Sequence, residues 1–298
     1  MISIDPSEVS TRVLHGYLLS AVAPRPIAFA STVDEDGRPN LAPFSFFNVF
    51  SANPPIAIFS PARRGTNNTT KHTFENVKKI REVVINVVNY NLVQQCSLAS
   101  TDFPEGVSEF TKTGLTPVDS VKVKPPRVKE SPVQLECMVK DVVELGDQGG
   151  AGNLVICEIV HIHISPDVVN ADGQIDTRKM DLVGRCGANW YTRVNDASLF
   201  EVAKPLAQIG IGVDAIPQEI RVSRILTGNH LAQLGNVEQL PDETSVNEYK
   251  LIELAELFIE LQDEPATLES RLHQQAADLL DKGMVNDAWK TLLAFNNG

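Results

Sequence analysis

Apolar residues fall in short, β-branched runs through the first two thirds of the chain and switch to three-to-four residue spacing in the last third. Residues 26–33 read as a strand, Asp36-Gly37 as a turn and residues 38–47 as the returning strand of a hairpin. Residues 56–60 continue the β pattern. After the polar stretch 61–70, residues 71–80 have helical spacing, and 83–88 return to a β-branched strand. Near the N-terminus, Asp5-Pro6-Ser7-Glu8 supplies a cap, a proline for the first turn and an acid, so a short helix is predicted to run toward Ser20. Asn91 is placed to cap a helix reaching Ala99, and a second helix over 108–113 stops at Gly114. Residues 133–145 and 153–165 form two long strand patterns around the glycine-rich turn 146–152. Strands of this number and spacing predict a barrel whose ends are plugged by helices, because closure removes exposed edges.

The pattern changes after Tyr191. Ser245 and Glu248 fit a capping box, and Leu251, Leu254, Ala255, Phe258 and Leu261 follow at helical spacing. Leu268, Leu272, Leu279 and Leu280 mark a second helix; Ala288, Trp289, Leu292 and Leu293 mark a third after Gly283. The expected organisation is a mainly β domain over residues 1–200 and an all-helical extension over 201–298. Two glycine-containing pieces in the extension, Ile209-Gly210-Ile211-Gly212 and Leu226-Thr227-Gly228-Asn229, read as turns or as elements shielding a ligand.

Composition narrows the function classes. Hydrophobic residues make up 43% of the 298 positions and charged residues 21%, with no apolar run near the roughly 18 residues of a membrane span. No membrane association is expected. The N-terminus lacks a basic segment followed by an apolar one, so a cytoplasmic location is the expectation. A net charge of −12, with much of the acidic excess beyond residue 235, argues against nucleic-acid binding. Cys96, Cys137, Cys157 and Cys186 form no C-x-x-C pair and read as buried thiols. No G-x-G-x-x-G, Walker A or G-x-S-x-G pattern occurs, and no catalytic triad is assignable.

The informative stretch is 23–48, which contains Arg25-Pro26-Ile27-Ala28, Ser31-Thr32, Asn40, Ala42-Pro43, Ser45 and Phe47-Asn48. Downstream come Lys71-His72-Thr73 with Asn76, Glu109-Phe110, Gly114-Leu115-Thr116-Pro117, Pro125-Pro126, Glu136-Cys137, and Gly184-Arg185 followed by Gly187, Trp190 and Tyr191. Over residues 10–195 this combination resembles the flavin reductase-like family. One position departs from it: the family usually has Lys-Asp-Thr where this chain has Lys71-His72-Thr73. The resemblance implies an FMN-binding split β-barrel with peripheral helices, a homodimer, and an oxidoreductase. In that reading bound FMN takes hydride from NADH or NADPH and passes electrons to free flavin or a partner oxygenase. A flavoredoxin-like electron carrier and a partner-binding module recruiting through its tail, residues 245–295, are the alternatives.

The residue types suit that cofactor. Arg63, Arg64 and Lys71 are cationic, and Ser60, Thr66, Thr70 and Thr73 carry hydroxyls, an inventory for a phosphate. A helix opening at Lys71 adds the attraction of its N-terminus. Without the resemblance, the same segment is a solvated loop with a basic patch. Ser31, Thr32, Ala42, Pro43, Ser45 and Asn48 are the candidates for the ring edge, while Phe44, Phe46 and Phe47 suit either the ring or core packing. Asn189, Trp190 and Tyr191 either cover the flavin or close a dimer interface. His161 and His163 alternate with Val155, Cys157 and Ile159, so packing explains each; the resemblance makes His161 the one near flavin. No third ligand completes a metal site around them, and none is expected.

Overall fold

A computed structural model of the chain describes residues 1–104, 106–202, 204 and 209–295. It divides into two compact units, Met1–Phe200 and Glu201–Gly298. The first opens with a 3-10 turn, Pro6–Glu8, and helix α1 (Thr11–Ala21), which starts afresh because the Ser10 hydroxyl accepts from the Val13 N–H. The Asp5-Pro6 signal therefore starts only the turn.

Strands β1 (Ala28–Val33), β2 (Pro39–Phe44), β3 (Phe47–Ala52) and β4 (Pro55–Phe59) follow as two hairpins. The single returning strand expected over 38–47 is broken at Ser45-Phe46, where the chain leaves β2 and begins β3 at the opposite end of the sheet. Helix α2 (His72–Lys79) and strand β5 (Glu82–Val87) come next, then α3 (Val93–Leu98) and α4 (Glu109–Thr113), the latter ended by Gly114 at φ 67°. The capping side chain in this region is Asn89 and not the expected Asn91: it accepts from the Leu92 N–H and caps the 3-10 turn Tyr90–Leu92 that leads into α3, whose own N-cap residue is Leu92. A two-stranded ladder of β6 (Pro117–Val118) and β7 (Arg127–Val128) precedes the long hairpin β8 (Val133–Glu144) and β9 (Asn153–Ile164). Helix α5 (Thr177–Met180) and the ladder β10 (Val183–Arg185) with β11 (Tyr191–Arg193) complete the unit.

Seven strands form one antiparallel sheet in the order β2-β1-β5-β8-β9-β4-β3. Every residue of β1 is buried, because the strand has apolar cores on both faces. Ala28 and Ala30 face a core with Phe59, Ile85, Leu135 and Val155; Ile27 and Phe29 belong to a second core with Leu92, Cys96, Phe110 and Leu115 from the α3–α4 region. Period-2 alternation explains how one strand serves both. The folded sheet with its break between β2 and β3 is the split barrel that sequence predicted. Cys96, Cys137 and Cys157 are buried, with Cys96 and Cys157 pushed up to about 12 by burial, whereas Cys186 is only half-buried.

The β8–β9 register corrects one reading. Glu136 pairs with His161 and Cys137 with Ile159, so Val160 is an extra residue in β9. A bulge of this kind reverses the face that follows it. His161 and His163 consequently lie on the face opposite Cys157 and Ile159.

The second unit contains α6 (Gln218–Arg221), α7 (Gly228–Gly235), α8 (Glu243–Glu253), α9 (Ala255–Glu260), α10 (Pro265–Asp281) and α11 (Val285–Leu293). Asp242, not Ser245, caps α8. Both glycine-containing pieces have local explanations. Gly210 lies so close to the end of α7 that a Cβ there would come within 2.5 Å of the Gly235 carbonyl oxygen, and Thr227 forms a capping box with His230. Trp289 is fully buried and its indole N–H donates to the Leu234 carbonyl at 3.0 Å. Trp289→Ala is expected to destabilise this unit by about 3–5 kcal/mol, combining a large cavity with an orphaned carbonyl. Denaturant unfolding followed by helical circular dichroism measures it.

Candidate functional site

Edge strand β2 supplies one wall of a cavity in the first unit. Edge position explains why β2 tolerates Pro39 and Pro43, neither of which can donate to a ladder. Asn40, Ala42, Pro43 and Phe44 line the cavity from β2, Arg64 and Lys71 from the preceding polar loop, and His72 and Thr73 from the first turn of α2. Residues 99–103 and Glu109 close the other side, leaving a volume of about 80 Å³. A larger cavity of about 560 Å³ shares Asn40, His72 and Glu109 with it.

Two hydrogen bonds fix these walls. The Asn40 amide donates to the Thr73 hydroxyl at 2.9 Å, fastening the start of α2 to β2. The Leu41 N–H, on the open edge of the sheet, donates at 3.0 Å to the buried carboxylate of Glu109 in the first turn of α4. Thr73 is 1% exposed and accepts from Asn40, so its own hydroxyl proton remains to be donated. Among the described residues, Lys71 at the N-cap position of α2 makes no side-chain cap hydrogen bond.

Arg64 and Lys71 converge on Asp102. Arg64 donates through Nε and Nη2, both at 2.9 Å, to the two carboxylate oxygens, and Lys71 Nζ lies 3.0 Å from Oδ1. The remaining Arg64 nitrogen donates to the Thr69 hydroxyl and the Thr70 carbonyl. Hydrogen bonding by Arg64, then by Lys71, holds the Asp102 carboxyl well below the usual aspartate range.

Six of the residues expected from sequence thus come together here: Ala42, Pro43, Phe44, Arg64, Lys71 and Thr73. Others are placed elsewhere. Ser31 and Thr32 are fully buried in β1; Thr32 accepts from the Asn76 amide at 3.1 Å, and the Ser31 hydroxyl has no partner among the described residues. Ser45 faces Arg25 at 3.5 Å, and the Asn48 side chain accepts from the Val49 N–H. Ser60 is buried and accepts from the Asn153 N–H, while Arg63 donates to the side chain and carbonyl of Asn68. Asn189 and Trp190 are exposed, and the Tyr191 ring lies 4.7 Å beneath the Arg185 guanidinium. Asp102 was not expected from sequence, since nothing in a loop aspartate announces a partner more than 30 residues away.

His161 stacks edge-on against His163 at 4.6 Å, and His163 lies 2.6 Å from the buried carboxylate of Glu136. Burial by itself raises the Glu136 carboxyl, but the Val121 N–H, His163 and the Lys122 N–H together hold it below the ordinary glutamate range. No group of three or more His, Cys, Asp or Glu able to hold a metal ion occurs among the described residues. A carboxyl depressed in the folded state contributes stability above its unfolded pKa of about 4.3 and loses it as pH falls through the folded value. Glu136→Gln is expected to shallow the acid limb of a stability–pH profile below about pH 4.3, measured by urea unfolding across that range.

Comparison with known proteins fits this architecture. The model of the flavin reductase like domain matches residues 20–179. An uncharacterized protein of Halalkalibacterium halodurans is 36% identical over 204 residues, covering 68% of this chain and 96% of that relative. An uncharacterized protein of Aquifex aeolicus is 34% identical over 62% of this chain and 92% of its own length. Among solved structures, nitrilotriacetate monooxygenase component B from Bacillus cereus superposes with a TM-score of 0.63 and 28% identity, covering 68% of this chain and 98% of that one. A putative flavin reductase with a split barrel domain from Shewanella frigidimarina gives 0.57 and 26%, over 68% of this chain and 100% of its own. With the matched segment spanning the sheet, the cavity and both of its anchoring bonds, this chain belongs to the flavin reductase like domain family.

Proposed function

We propose that the first unit binds FMN and works as an NAD(P)H-dependent flavin oxidoreductase passing electrons to free flavin or to a partner oxygenase. The observation that carries the reading is the convergence of Arg64, Lys71 and Thr73 at the uncapped N-terminus of α2, beside the small apolar strip Ala42-Pro43 of β2. Two cations, a hydroxyl with a proton to give and a helix N-terminus match a phosphate, and the flat strip next to them suits a ring. The likeness to component B of a monooxygenase and to a flavin reductase supports an oxidoreductase role.

Bound FMN would supply the hydride-accepting ring. The chain itself does the holding. Asn40 fixes the rotamer of Thr73, Glu109 fixes the β2 backbone at Leu41, and the adjoining larger cavity leaves room beyond the phosphate end. His72 stands where the family usually has an aspartate, which removes one negative charge from the wall of an anion site.

We extend the proposal to a homodimer. Helix α1 buries none of its residues and exposes Val13, Tyr17 and Leu18; edge strand β3 exposes Val49 and Phe50; Ile162 and Ile164 on β9 and Trp190 are exposed as well. Apolar surface on this scale marks association. Phe50→Asp is expected to shift sedimentation from a dimeric to a monomeric mass, and a monomeric parent protein would sink the idea.

The test of turnover is an absorbance spectrum of protein supplied with FMN, followed anaerobically after NADH and then NADPH. Rapid bleaching identifies a reductase and its donor, bound but unbleached flavin identifies a carrier, and no binding overturns the reading. Arg64→Gln is expected to weaken FMN about ten- to a hundredfold by deleting a charge-assisted contact, while riboflavin, which lacks the phosphate, scarcely changes. Fluorescence titration reads both.

A further inference from the structure

We propose that Asp102 is an internal counter-anion that occupies the phosphate subsite of the unliganded protein, so that a phosphorylated ligand binds by exchanging with this carboxylate. The inference rests on the FMN reading above and adds what governs the occupancy and release of that same site.

The geometry is that of a ligand, supplied in cis. The Asp102 carboxylate takes the Arg64 fork on both oxygens and shares one of them with Lys71, as two oxygens of a phosphate would. With Nε and Nη2 given to Asp102 and Nη1 given to Thr69 and Thr70, each Arg64 nitrogen is already donating. Arg64 cannot offer its fork to a phosphate while Asp102 remains in place. Retaining both anions would also set a dianionic phosphate against a carboxylate at contact distance, which is unfavourable.

Departure of Asp102 is cheap. Its side chain is 57% exposed, so it can rotate into solvent without opening a core. The neighbouring backbone bonds stay local: the Ser100 N–H donates to Ser97, Thr101 to Leu98 and Phe103 to Thr101. The exchange therefore costs an ion-pair cluster and little else, and the incoming phosphate restores it with one more negative charge at neutral pH. A self-neutralised subsite lowers affinity for phosphorylated flavin and speeds its release, which suits a protein whose flavin exchanges between turnovers. Riboflavin, having no phosphate, requires no exchange.

The deciding experiment compares parent protein with Asp102→Asn and Asp102→Ser, after thermal melts show that the variants fold. FMN and riboflavin are titrated by flavin fluorescence, FMN release is timed by stopped flow, and inorganic phosphate is titrated by thermal shift. The proposal expects both variants to bind FMN about two- to fivefold more tightly, the scale of one surface ion-pair interaction, with slower release and unchanged riboflavin affinity. Unchanged or weaker FMN binding would show that Asp102 orients the two cations instead, and would overturn it. If neither flavin binds any of the proteins, the FMN reading fails, and phosphate alone decides. A larger phosphate-induced shift in the variants then upholds the exchange, and equal shifts refute it.

Discussion

The open edge of β2 is the constraint around which the site is organised. An edge strand presents backbone donors that burial would otherwise leave unsatisfied, and the Leu41 N–H is answered by a carboxylate from α4 while the Asn40 amide reaches α2. These two bonds draw two helix N-termini, α2 and α4, against one strand. The cavity is the space left between them. Removing either partner would leave a buried polar group alone, which costs more than the bond contributes when made.

The same sheet explains why the cavity is polar at one end and apolar at the other. β1 is buried by separate cores on its two faces, so its own side chains have no room for a ligand. The next strand outward lines the cavity instead, where Ala42 and Pro43 are half-buried and their small side chains leave the backbone approachable. The charged end is supplied by the loop residues Arg64 and Lys71, paired with Asp102 on the exposed side, since burying charges in a core is costly.

Arg64, Lys71 and Asp102 show how two neighbouring cations are balanced within the chain. Two cations close together at a helix N-terminus repel one another, and a single carboxylate relieves both. The relief comes from a residue on the exposed side, where solvent competes with it. That exposure contrasts with Glu136, whose buried carboxylate is enclosed by two backbone N–H groups and His163.

Much of this was written in local sequence. Strand periodicity gave β1, β5, β8 and β9, Gly114 ended α4 at the residue expected, and the spacing of Leu268, Leu272 and Leu280 gave α10, because each depends on residues within a few positions of one another. The cluster of Ala42, Pro43, Phe44, Arg64, Lys71 and Thr73 was legible through its residue types and their resemblance to a family pattern. Tertiary structure decided the rest. The break at Ser45-Phe46 sends β2 and β3 to opposite ends of one sheet, and the extra residue Val160 turns His161 away from the strand face that simple alternation assigned it. Ser31 and Thr32, neighbours of the site in sequence, are sealed inside because β1 has cores on both sides. Asp102 meets cations 31 and 38 residues away only once the α3–α4 loop has folded back over α2. Sequence fixes which groups are present and how each short segment prefers to fold; which distant groups share a few ångströms of space is set by packing, because a bulge, a strand exchange or a loop crossing leaves almost no trace in local spacing.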